Sequence, residues 1–140
     1  MKIAGRVTIA VLLFVAALHV YWARGGTWPA SDRTDLARRV VGRDEFPANR
    51  DTYIVVGLLI VAAVLVGSVG GWDLPVSDGL VRIGALGVFS VLALRGVGGF
   101  IVSSVAKVKG STNPFIDHNL RYYSPLVSGL ALGVLATLIG

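Results

Sequence analysis

Four stretches of the chain are apolar on every face, and polar, glycine-containing segments separate them. They cover residues 7–23, 53–69, 80–102 and 123–139. A bilayer core takes roughly 20 mostly apolar residues as a helix, so each stretch is long enough to span. None alternates strictly between apolar and polar, which argues against barrel strands. The pattern predicts an all-α fold, a polytopic membrane four-helix bundle forming a single transmembrane domain over residues 1–140. The first stretch also resembles a signal peptide, because Lys2 and Arg6 precede an apolar run. Cleavage after Ala23 would need a small residue where the bulky Tyr21 stands, so a retained span is expected.

The connections are distinctive. Loop one, residues 24–52, contains a short helical pattern from Ser31 to Gly42. Ser31 is the expected N-cap, early aspartates and later arginines suit the helix dipole, and Gly42 ends the run. Leu36 and Val40 share a face, so this helix either lies flat at the headgroup level or stands in solvent. Loop two, residues 70–79, is tight and acidic, with Asp73, Pro75 and Asp78. Loop three, residues 103–122, is basic and contains the turn signal Asn113-Pro114.

Composition agrees with a membrane location. Of 140 residues, 54% are hydrophobic and 15% charged, against about 25% charged in soluble domains. Cysteine is absent, which excludes disulfides, thiolate metal sites and thiol nucleophiles. The net charge of +5 sits beside apolar spans, which favours anionic lipid headgroups over nucleic acid as partners. Arg24, Arg33, Arg38, Arg39, Arg43, Arg50, Lys107, Lys109 and Arg121 all fall in loops one and three. The positive-inside rule then places those loops in the cytoplasm of a cell with this protein in its inner (plasma) membrane, although Lys2 and Arg6 pull the other way.

Helix association in lipid relies on small residues. Gly67 and Gly71, the glycines between Gly84 and Gly99, and the Gly129/Gly133 pair are candidates for contacts within the bundle or in a homo-oligomer.

The most informative polar residue is Arg95, roughly 10–15 Å inside the loop-three end of the third stretch at about 1.5 Å per residue. An intramembrane arginine costs about 2.5–3.5 kcal/mol on insertion scales, so it is expected to find an interior partner or to snorkel to the interface. His19 and Trp22 share a face near the loop-one end of the first stretch, and Tyr21 and Trp22 also suit an interfacial aromatic belt. Asp117 either serves locally, as a cap or as a partner of Arg121, or reaches toward Arg95 or His19. Ser124-Pro125 suits the cap and first turn of the fourth stretch. His19, Trp22, Trp28, Arg95, Asp117 and Tyr123 all approach one membrane face and are the candidate ligand-binding residues. Two histidines and Asp117 match no metal-ligand spacing, so no metal and no cofactor are expected.

The segments Leu18-His19-Val20-Tyr21-Trp22-Ala23-Arg24-Gly25-Gly26-Thr27-Trp28-Pro29 and Phe115 to Leu126 resemble a family of small bacterial four-span membrane proteins of uncharacterised function. The shared pattern is a His-x-x-Trp helix end followed by Gly-Gly, with an Asp…Tyr-Ser-Pro-Leu entry into the last span. The arginine-rich loop one stands apart from it. The resemblance implies the fold and the choice of site residues, and no activity.

Three functions fit. The leading expectation is a membrane protein that binds a lipid or other amphiphile in a polar pocket, as an accessory subunit of a larger membrane complex or alone. A membrane isomerase or hydrolase would use His19 or Asp117 as acid/base and Arg95 to stabilise negative charge. An oligomeric transporter would exploit the glycine-interrupted third span.

Overall fold

A computed structural model describes Met1–Gly140 as helices without strands. Helix α1 covers Ile3–Ala23, α2 Arg33–Val40, α3 Asn49–Val69, α4 Asp78–Val108, α5 Pro114–His118 and α6 Ser124–Ile139. A π turn, Asn119–Tyr123, joins α5 to α6. Four segments are long and apolar enough to cross a membrane: α1, α3, α4, and the continuous run Pro114–Ile139. The chain is a multi-pass membrane protein.

Helices α1, α3 and α4 run past their apolar stretches. The 31 residues of α4 extend about 46 Å at about 1.5 Å per residue, against a hydrocarbon core of about 30 Å. No breaker follows Val102, so the helix continues through Ser103 and Ser104 until Gly110, whose φ of +86° ends it. There the amides of Gly110 and Ser111 return to the carbonyls of Lys107 and Ala106, both at 3.0 Å. Arg95 therefore lies about 20 Å from the end of its helix rather than 10–15 Å.

The entry to α6 also departs from expectation. Ser124 does not cap a new helix; its amide bonds the carbonyl of Asn119, five residues back, and the chain stays helical. Pro125 supplies no N–H and its ring crowds the carbonyl four residues before it, so the helix opens by one residue.

The major seams are α1 against α3 and α4 against α6, with α6 also touching α1 and α4 touching α3. Ile9 and Leu12, Ala62, Ala63 and Val66, Ala85, and Leu130, Val134 and Leu138 form the core. All lie in the half of the bundle nearer loop two. The first span is thus built into the bundle. Outward positions such as Ile83, Leu94, Val102 and Leu132 are exposed and apolar, as a surface facing lipid should be. Four of the five buried polar residues, Thr52, Ser103, Asn119 and Ser124, lie in the opposite half, toward loops one and three.

Close approach rests on particular glycines. A Cβ at Gly96 would strike Ser128, whose backbone nitrogen would be 2.9 Å away, and one at Gly99 would strike Ser124, Arg95 and Asn119. At the α1–α6 seam, Gly133 faces Thr8. Gly129, Gly87 and Gly98 have open space beside them, so only part of each glycine pattern serves packing.

Helix α2 is neither flat on a membrane nor free in solvent. Leu36 and Ala37 are fully buried, and the helix packs on α5. Its N-cap is Asp32, accepting from the Asp35 amide at 2.7 Å, because a carboxylate one residue later takes the position expected of Ser31. Ser31 instead donates its amide and hydroxyl to Asp35 at 3.1 and 3.2 Å. The partner buried beside Leu36 is Ala37, and Val40 is half-buried.

Two outcomes follow. Gly96→Leu should lower bundle stability by about 1–3 kcal/mol through overpacking against Ser128, while Gly98→Ala should leave it unchanged; thermal unfolding in detergent compares them. The Arg39 hydrogen bond, with help from Ser31, holds the Asp35 carboxyl below the usual carboxylate range. A lowered folded value means the stabilisation is present above that range and disappears as pH falls through it. Hydrogen exchange of the α2 amides should therefore accelerate on acidification, and Asp35→Asn should remove the dependence.

Candidate functional site

The candidate residues do not form one pocket. No hydrogen bond or ion pair joins His19, Arg95 and Asp117, and each has its own neighbourhood.

Arg95 extends along α4 over Gly99, so that its Nη2 donates to the Asn119 side-chain oxygen at 2.9 Å. The amide of Asn119 has only one workable orientation. Its oxygen accepts from Arg95, and its nitrogen donates to the Gly99 carbonyl at 3.1 Å and the Ser103 hydroxyl at 2.7 Å. Asn119 is 1% exposed, with all its bonding capacity directed inward. Arg95 itself is exposed on the outer side of the α4–α6 seam. Interior pairing and snorkelling thus combine: the guanidinium is drawn one turn toward loop three and held there by a neutral amide. One hydrogen bond to a charged group contributes about 1.5–3 kcal/mol, which is comparable to the insertion cost. It leaves most of the guanidinium's five N–H donors free and the charge without a carboxylate. Beside this residue the Ser124 hydroxyl is buried without a partner, and Ser128 repeats the arrangement one turn on. Each faces a glycine of α4, where a small group suits close approach.

Asp117 meets neither Arg95 nor His19. It pairs with Lys107 at 2.9 Å on the surface, both side chains well exposed, so solvent screens the pair and it adds little to stability. It does not cap α5 either. Asn113 does, accepting from the Phe115 amide at 3.0 Å while its own amide reaches the Gly42 carbonyl in loop one at 3.0 Å. Arg121, the other expected partner, lies over the Tyr122 ring. Asp117 loses the interior position because α5 turns it outward, within reach of Lys107 in the last turn of α4.

His19 lines a groove between α1 and α3, roofed by the segment after α2, with a volume of about 170 Å³. Its Nδ1 donates to the Val15 carbonyl at 2.7 Å, since a carbonyl can only accept. With the hydrogen on Nδ1, Nε2 is the acceptor of the neutral ring. Trp22, 5.2 Å away between ring centroids, is buried, and its indole N–H is committed to the Trp28 carbonyl at 2.8 Å. Phe46 stands edge-on to Trp22 at 6.1 Å and carries the Arg33 guanidinium 4.7 Å from its ring centre. Arg33 also donates to the carbonyls of Trp22 and Gly26 at 2.6 and 3.1 Å, closing the end of α1. Trp28 is exposed, and its backbone rather than its ring does the bonding.

Tyr123 serves a third place. Its hydroxyl donates to the Arg39 carbonyl at 3.1 Å, and its ring stacks near Phe115 and His118. It fastens α2 to the start of the last span.

A larger trough, about 520 Å³, opens at the opposite face beside Arg6, Ile9, Leu13 and Trp72. It contains one charged side chain and no side-chain acceptor. At that face Arg82 donates to the Leu138 carbonyl at 2.7 Å, capping the last turn of α6.

Asn119, Ser103 and Gly99 were missed as companions of Arg95. Part of the signal was present: Arg95, Gly99 and Ser103 recur at four-residue intervals and share a helix face. Asn119 gave none, because the π turn sets which way it points. Asn119→Ala should destabilise the protein by about 1–3 kcal/mol, since it strips the acceptor from Arg95 and the donors from Ser103 and Gly99. Asp117→Asn should leave stability nearly unchanged, because its ion pair is solvent-screened. Chemical or thermal unfolding in detergent measures both.

Comparison with known proteins adds a family and no activity. No curated protein and no solved structure matches the chain. The model of the family described as "Protein of unknown function (DUF3995)" matches residues 12–136, a range that includes His19, Arg95, Asn119 and both polar clusters. By that match over nearly its whole length, the chain belongs to the DUF3995 family.

Proposed function

We propose that this protein binds an anionic amphiphile in the membrane, with Arg95 taking its phosphate or carboxylate at the α4–α6 seam. One observation carries the reading. A guanidinium within a membrane span is fixed by a neutral amide, lies exposed toward lipid, and has no carboxylate within ion-pair range. A charge left in that state is costly, and an anion bound by paired N–H donors offsets the cost. The amphiphile's chain would lie along α4 over exposed Val91, one turn deeper on the same helix face as Arg95.

The arginines of loops one and three favour anionic headgroups at the same face, and the positive-inside rule assigns that face to the cytoplasm of the plasma membrane. In this setting the protein acts as a binding or accessory component. The separation of His19, Asp117 and Arg95 favours this reading over acid/base catalysis by the three together.

Native mass spectrometry of the protein in a neutral detergent tests the proposal with phosphatidylglycerol as probe. Wild type should retain the lipid, and Arg95→Gln should weaken it about tenfold or more, roughly 1.4 kcal/mol. Equal retention by both proteins would refute the site.

A further inference from the structure

We infer that the His19 groove is a second, chemically distinct site, which takes the primary ammonium of a zwitterionic aminophospholipid headgroup. It lies at the α1–α3 seam, whereas Arg95 lies at the α4–α6 seam, so the two sites are separate.

The argument rests on what the groove lacks. Its donors are already committed: the Trp22 indole N–H to Trp28, the His19 Nδ1–H to Val15, and the Thr52 hydroxyl to the Ala48 carbonyl at 3.5 Å. The free polar groups are acceptors, namely Nε2 of His19 and the carboxylate of Asp51, the one charged side chain in the lining. Two aromatic rings, Trp22 and Phe46, supply the walls. Acceptors, one negative charge and π faces suit a cation that carries N–H donors. A hydroxyl offers one donor and no charge, and a quaternary ammonium offers charge and no donor. A primary ammonium offers both.

Size and surroundings narrow the choice. A cavity of about 170 Å³ is below the roughly 300–1,000 Å³ of sites that enclose whole small molecules, so it suits a headgroup fragment. Exposed Val55 continues the lining along α3 and offers a path for acyl chains into the bilayer. Asp51 has Arg50 at 3.5 Å, a pair so exposed that it leaves the carboxylate available. Arg33 lies over the Phe46 ring. A bare cation would be repelled by Arg50 and Arg33. An ammonium followed by a phosphate answers that repulsion, because a phosphate can pair with arginines beside the groove.

The experiment uses the full-length protein in neutral detergent, titrated under native mass spectrometry with four probes. These are phosphatidylethanolamine, phosphatidylcholine and phosphatidylglycerol of identical acyl chains, and dodecylamine. Phosphatidylethanolamine should bind at least tenfold more tightly than phosphatidylcholine, and more tightly than dodecylamine. Asp51→Asn, a change at an exposed residue that leaves the fold intact, should remove that tenfold preference, and so should His19→Phe. Arg95→Gln should lose phosphatidylglycerol and keep phosphatidylethanolamine, which separates failure of this site from failure of the first. Equal binding of the ethanolamine and choline lipids, dodecylamine binding as tightly as the phospholipid, or a preference unchanged in Asp51→Asn would each overturn the assignment.

Discussion

A positive charge held inside a bilayer must be answered by groups that themselves need no water. In this protein Asn119 meets that condition for Arg95: its oxygen takes the guanidinium, and its nitrogen is consumed by Gly99 and Ser103 of the same helix that carries the arginine. Much of the bundle follows from bringing Asn119 to that place. The two helices must approach closely, which requires Gly96 and Gly99 on one side and Ser124 and Ser128 on the other. The chain entering α6 must also turn by one residue, which the π turn before Pro125 supplies. A neutral amide is a modest answer to a full charge. It fixes the arginine's position without cancelling its field, and the remaining donors are the basis of the proposed anion site.

The molecule divides across its thickness. Toward loop two the interior is aliphatic, built from leucine, isoleucine, valine and alanine of all four spans. Toward loops one and three it is polar, and a layer of short helices closes it through Tyr123 to Arg39, Asn113 to Gly42 and Arg33 to Trp22. Apolar side chains gain little by leaving lipid for one another, so the first half is held by fit and the second by hydrogen bonds whose alternatives in hydrocarbon are poor. Fitted small residues and committed polar groups give rigidity at the end where ligands are proposed.

The two proposed sites differ in sign, since one presents spare donors and a positive charge while the other presents spare acceptors and a negative one. Both emerge at the same membrane face on opposite seams, under one basic loop. That arrangement suits a protein that reads headgroup chemistry rather than one that transforms a substrate, because neither cluster joins an acid, a base and an electrophile within bonding distance.

The four spans, the all-helical class, the helix in loop one and the isolation of Arg95 were all decided by the order of residues along the chain. Each depends on local properties: apolar run length, helical periodicity, capping residues and the cost of charge in lipid. Partner choice was not local. Asp117 and Asn119 are two residues apart, and the sequence offers the carboxylate either as a local partner or as an answer to Arg95 or His19, yet helix α5 and the π turn aim the carboxylate at Lys107 and the amide at the arginine. In the same way His19 and Arg95 approach one face, but α1 and α4 stand across the bundle, so depth alone did not make them neighbours. Depth in the membrane is written in one dimension. Which side of a helix a group occupies, and which helix it then meets, is set only when the bundle closes.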